Sequence, residues 1–134
     1  MNPTENTKVV ESFYAASNVG DLDTVLGLLD ENITWTNIGT TAFSGTFTGR
    51  DNLTAELLGP VFSRLKAGIR ATVDRVIAQG DMVVVQVRGT AETVEGRPYN
   101  NTYCHVFRLT DGKIVEATEY FDTELTARVL GAEA

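Results

Sequence analysis

The stretch "NNTYCHVFRLTDGKIVEATEYFD", residues 100–122, carries the chain's single histidine, His105, and its single cysteine, Cys104. An imidazole titrates near neutrality, which suits it to proton transfer. Alternation puts Tyr103, His105, Phe107 and Leu109 on one strand face, and the apolar companions turn that face inward. By the same rule Val115, Ala117, Glu119 and Phe121 share the inner face of the next strand. A glutamate in so apolar a row is costly to bury without a partner. If "TDG" closes the hairpin, counting outward brings His105 and Glu119 across from one another or diagonal, with Cβ atoms roughly 4.5 to 8 Å apart. Burial disfavours a charged imidazole and a carboxylate favours it. At contact distance the carboxylate is expected to prevail, giving an imidazolium–carboxylate pair at mildly acidic pH. Cys104 points to the opposite face, so the adjacent Cys and His do not form a nucleophilic pair.

A third polar group comes from "ITWTNI", where Ile33, Trp35 and Asn37 share one face. Asn37 is the candidate to position a carbonyl or a water beside His105 and Glu119. These three are the expected catalytic residues. Phe13, Tyr14, Trp35, Tyr103, Phe107 and Phe121 are the expected lining of the substrate site.

These side chains are positioned by a helix at about Thr4–Asn18, with Val9, Val10, Phe13 and Tyr14 at helical spacing. Gly20 stops it, and Asp21 caps a second helix of about Leu22–Leu29 striped by Leu22, Val25, Leu26 and Leu29. After "ITWTNI" and a glycine-punctuated segment, a third helix opens near Asp51 and carries Leu53, Leu57, Leu58, Phe62 and Leu65. Pro60 ends or kinks it. Three long strands then follow as an antiparallel meander, "IRATVDRVIA", "MVVVQVRGTAETV" and "YNNTYCHVFRL", completed by "KIVEATEYF". A short terminal helix, "TELTARVL", is capped by Asp122. The order predicts an α+β fold, a strongly curved antiparallel sheet with helices packed across its concave face and a cavity between them. Trp35, Phe13, Val10, Leu26, Leu57, Phe107 and Phe121 are its expected core.

At 134 residues, with 43% hydrophobic and 22% charged residues, the chain reads as one domain, residues 1–134. A net charge of -7, with 11 scattered basic residues, argues against a nucleic-acid partner. No apolar stretch spans a bilayer, and "MNPTENTKVVE" is unlike a signal peptide, so no membrane role and a cytoplasmic location are expected. One His and one Cys do not make a zinc site, and no motif implies a cofactor. The outward face of the last two strands, with Thr102, Cys104, Val106, Thr118 and Tyr120, is less charged than a solvated face should be. It predicts a homodimer.

"FYAASNVGDLDTVLGLLDENITW", "GRDNL" and "HVFRLTDGKIVEATEYFD", in order along nearly the whole chain, resemble the SnoaL-like and ketosteroid-isomerase-like families of the nuclear transport factor 2 fold. The resemblance implies a cone-shaped α+β barrel, a fold that hosts many activities. Ketosteroid isomerases carry a helix tyrosine, an aspartate base and a protonated aspartic acid. The matching positions here are Phe13, Asn37 and His105, which does not support that mechanism. Limonene-epoxide-hydrolase-like enzymes hold a water with a tyrosine and an asparagine and activate it with an Asp-Arg-Asp set. Trp35, Asn37 and Glu119 match in part, but Arg88 is expected to face outward and the second acid is missing. SnoaL-like cyclases use one acidic residue in the pocket, a role Glu119 can fill. The expected function is cofactor-free acid/base chemistry, such as cyclisation, isomerisation or dehydration, on a small apolar or carbonyl-containing molecule. The alternatives are a non-catalytic binding domain of the same fold and water addition to an epoxide.

Overall fold

In the computed structural model, which describes residues 2–131, α1 (Pro3–Asn18) begins at Asn2, whose side chain accepts a hydrogen bond from the Glu5 N–H. Gly20, at φ 73°, ends that helical run, and Asp21 caps α2 (Leu22–Leu28) by accepting from Thr24 N–H and O–H. The helix stops one residue earlier than its apolar stripe suggests, because Leu29 is already the first residue of β1 (Leu29–Asn37). Leu29 is buried there, whereas Leu22, expected in the stripe, is 55% exposed.

β2 (Gly45–Thr48) pairs antiparallel with β1. The third helical segment is divided: α3 (Arg50–Leu53), a π turn (Thr54–Leu58) and α4 (Gly59–Phe62). Pro60 has no N–H to give to the preceding turn. The chain widens ahead of it, and the Gly59 N–H reaches the Thr54 carbonyl instead.

β3 (Arg70–Gln79), β4 (Met82–Thr90), β5 (Thr102–Thr110) and β6 (Lys113–Phe121) form the expected meander. β4 does not continue to Val94 as its alternation suggests. The chain leaves the ladder at Ala91, turns at Gly96 (φ 89°) and is held by the Thr93 N–H to the Arg97 carbonyl. α5 (Thr123–Leu130), capped by Asp122, closes the fold.

The six strands lie in the order β2-β1-β6-β5-β4-β3. The sheet is curved and unclosed, and antiparallel except between β1 and β6. These two are far apart in sequence, so no hairpin sets their direction; three reversals from β3 leave β6 running with β1. The core holds Val10, Phe13, Trp35, Leu57 and Phe107, as expected. Leu26 and Phe121 are only half-buried. Among the described residues, no helix is long and apolar enough to cross a membrane.

Candidate functional site

β5 and β6 place His105 directly opposite Glu119. The pairing owes its phase to a bulge: Leu109 faces Ile114, and the ladder resumes at Arg108 opposite Glu116. The extra residue, Val115, drops out of the inner row, and Ile114 takes the buried place expected of it. From Ala117 onward the inner row reads as predicted.

The His105 Nε2 lies 2.8 Å from Glu119 Oε1. The Nδ1 of the same ring lies 2.5 Å from the Tyr14 hydroxyl, which crosses from α1. Tyr14 and Tyr103 lie nearly parallel to the imidazole, with centroids at 5.8 and 5.7 Å, and Trp35 meets it edge-on at 6.0 Å. With Phe107 at 5.4 Å, the ring is fixed by two polar partners and four aromatic ones, Tyr14 serving as both. His105 is buried, while the Glu119 side chain keeps 19% of its surface accessible.

Hydrogen-bond counting assigns the protons. Burial, and then the charge of Glu119, push the Tyr14 phenol above its ordinary value, so it stays protonated. Among the described residues its hydroxyl has one acceptor, His105 Nδ1. A phenol can give a proton to Nδ1 or accept one from it, whereas the Glu119 carboxylate only accepts, so Nε2 carries the proton of that bond and donates to Glu119. The expected contact between His105 and Glu119 is present, and a phenol occupies the second ring nitrogen. Glu119 Oε1 is held and its other oxygen is left to the cavity. Tyr14, expected only to line the site, is thus a polar member of it.

Asn37 lies opposite Glu119 in the β1–β6 register. Its carbonyl oxygen accepts from the Trp35 indole N–H at 2.8 Å, and its amide donates to the Phe43 carbonyl at 3.0 Å. One amide hydrogen remains unengaged by these bonds. Phe13 packs edge-on to Phe107 at 5.8 Å, and Phe107 is fully buried beneath the site. Trp35, Tyr103 and Phe121 line the cavity at this site, whereas Phe107 lines neither of its lobes.

The cavity has two lobes, of about 90 and 120 Å³. Trp35, Tyr103, Glu119, Leu58, Phe62 and Ile69 border both. His105 and Tyr14 open on the larger lobe, Asn37 and Phe121 on the smaller. A wider surface groove of about 780 Å³ shares Phe62 and Ile69 with both lobes. Arg88, as expected, faces outward, 2.9 Å from Asp74.

A second polar group in the smaller lobe had no signal in strand alternation, since it joins a loop to α5. The Tyr99 hydroxyl lies 2.7 Å from Thr126 Oγ1, and Asn101 Nδ2 donates to both at 3.1 Å. These groups satisfy one another and fasten α5 to the sheet.

The Tyr103 phenol is also pushed up, by burial first and then by Tyr99 and Glu119. Tyr14 and Tyr103 are therefore neutral in the fold, but ionise near pH 10 when the chain unfolds. Their contribution to stability is complete below about pH 10 and is lost as the pH rises beyond it. Urea denaturation at successive alkaline pH values should show stability falling by about 1.4 kcal/mol per pH unit for each of these two tyrosines. Tyr14→Phe should remove one tyrosine's share of the slope; an unchanged slope would contradict the assignment.

The chain belongs to the SnoaL-like family, whose domain model matches residues 10–117. Its fold is close to that of an NTF2-like protein of unknown function from Burkholderia pseudomallei, at a TM-score of 0.85 and 28% identity over 96% of this chain and 98% of that one. It is similar to TerC, solved with polyporic acid (TM-score 0.82, 25% identity, 94% of this chain and 98% of that one). An LEH-like epoxide hydrolase from M. tuberculosis is also similar, at TM-score 0.76 and 26% identity over 96% and 93% of the two chains. No curated protein matches the chain in sequence.

Proposed function

We propose that this protein is a cofactor-free acid/base enzyme acting on a small carbonyl compound. The observation that carries the reading is the chain Tyr14–His105–Glu119, which holds one carboxylate oxygen and leaves the other facing an apolar cavity. A carboxylate so placed removes a proton from the carbon next to a carbonyl. The C–H pair becomes an enolate, whose oxygen accepts the unengaged Asn37 N–H. Where a double bond lies beyond that carbon, Glu119 returns the proton at the far end of the dienolate and so isomerises the substrate. Otherwise the enolate carbon attacks a second carbonyl, and the alkoxide formed as the ring closes takes the proton back from Glu119. His105 and Tyr14 do not touch the substrate's reacting atoms in this scheme. They hold and orient the carboxylate.

Water addition to an epoxide has less support, because Arg88 is turned outward onto Asp74. A non-catalytic binding domain is the second reading, favoured by the apolar walls and by the internal hydrogen bonds of Asn37. Deuterium exchange separates the two. In D2O, the protein should accelerate incorporation of deuterium next to the carbonyl of 1-decalone, followed by NMR, above the buffer rate. Binding of the ketone with no acceleration would favour the binding domain.

The homodimer remains part of the proposal. Tyr120, 46% exposed, and the half-buried Cys104, Val106 and Thr118 lie on the outer face. Sedimentation equilibrium at micromolar concentration should give twice the chain mass; a monomer would remove the dimer from the proposal.

A further inference from the structure

The cavity's shape and chemistry say more about its ligand than the catalytic chain does. Each lobe is smaller than the roughly 150 Å³ that holds a single benzene in an engineered apolar cavity, but together they exceed it. Trp35, Tyr103 and Glu119 border both lobes, and the boundary they form is the neck between them. Among the described residues, no lysine or arginine lines either lobe, and Glu119 is the carboxylate that does. The far ends of the lobes are mainly apolar, with the Ser17 hydroxyl the polar group at the end of the larger one. In the smaller lobe Tyr99 and Thr126 are satisfied by one another and by Asn101. In the larger lobe Phe13, Ala71 and Val87 supply hydrocarbon.

The neck has its own determinant. Gly89, on β4, borders the larger lobe at a backbone angle that any residue adopts, so flexibility does not explain it. A Cβ there would stand 2.7 Å from the Tyr103 ring and 2.9 Å from Ile69 Cγ2. Tyr103 and Ile69 both border both lobes. The absent side chain is what lets the Tyr103 ring lie back against the sheet and keeps the neck open.

From this we infer that the site takes one uncharged molecule of two-ring size, seated astride the neck with its reactive carbonyl at Glu119 and a hydrocarbon half in each lobe. Gly89 sets that size. The inference rests on the proposed acid/base reading for the placement of the carbonyl, but not for size or charge. Anionic ligands are rejected by Glu119 and by the lack of a cation, and four-ring ligands exceed the space.

Trp35 is the chain's only tryptophan and borders both lobes, so its fluorescence reports occupancy. Titration with 1-decalone should give saturable quenching with a Kd about tenfold or more below that of cyclohexanone, since four more carbons leave water. A hundredfold excess of decalin-1-carboxylate, or of a saturating four-ring steroid ketone, should not displace the decalone. In Glu119→Gln the carboxylate should gain at least tenfold in affinity while decalone changes by less than threefold. Gly89→Ala should weaken decalone about tenfold and leave cyclohexanone unchanged. Leu58→Phe narrows the same neck from the helical side and serves if Gly89→Ala does not fold. Equal affinity for one and two rings, or displacement by the carboxylate or the steroid, would overturn the inference. Tight decalone binding without deuterium exchange would leave it standing and remove the catalytic reading. Exchange on cyclohexanone with no preference for two rings would do the reverse.

Discussion

Glu119→Gln is expected to lower the rate of deuterium exchange at 1-decalone by about a hundredfold or more, the usual contribution of a general base. The substitution keeps the size of the side chain, and its amide can still meet His105, so the fold around the pair should persist. It removes the carboxylate proposed to accept the proton from carbon. His105→Ala tests a different role. With the imidazole gone, Glu119 keeps its charge but loses the N–H that lies 2.8 Å from Oε1. A positioning role predicts a loss of roughly tenfold, with the pH dependence of exchange displaced as well. If His105 were itself the base, its loss would equal that of Glu119. A loss below about tenfold in Glu119→Gln would end the acid/base proposal, whatever the histidine variant did.

The second large effect falls on stability. Phe107→Ala should cost about 3–5 kcal/mol, read as a lower urea midpoint at an unchanged slope. Phe107 is fully buried, and its ring lies 5.8 Å from Phe13, 6.3 Å from Tyr14 and Trp35, and 5.4 Å from His105. Truncation leaves a void that joins helix to sheet, and nearby aromatic rings are too rigid to fill it. Against a typical total of about 5–15 kcal/mol, this is a large part of the fold's margin. A cost under about 1.5 kcal/mol would mean that the layer collapses more readily than its packing implies.

The pairing of His105 with Glu119 was legible because strand phase is a strict period of two and the "TDG" turn anchors the count. The same rule could not reveal the bulge at Val115, since an extra residue changes the phase without changing composition. Tyr14 was harder still. Phe13 and Tyr14 are adjacent on α1 and both buried, and helical periodicity does not say which of two neighbours reaches across to the sheet. The resemblance assigned the tyrosine's place to Phe13, whereas the phenol that meets His105 belongs to Tyr14, one residue on. The Tyr99–Asn101–Thr126 group joins segments far apart in sequence, and no local pattern encodes it. Asn37 was placed correctly on the inner face, but its bond to the Trp35 indole depends on rotamers rather than on spacing.

The bulge at Val115 also bears on how this sequence can drift in length. Between Ala117 and Glu119 the gain or loss of one residue reverses every later side chain and would carry the carboxylate to the outer surface. At position 115 the ladder already absorbs a surplus residue, with Leu109 opposite Ile114 on one side and Arg108 opposite Glu116 on the other. A descendant one residue shorter there would close the ladder and keep Glu119 facing His105. Position 115 is therefore a tolerant joint in an otherwise length-locked strand, where relatives can differ by a residue and still hold the same pair.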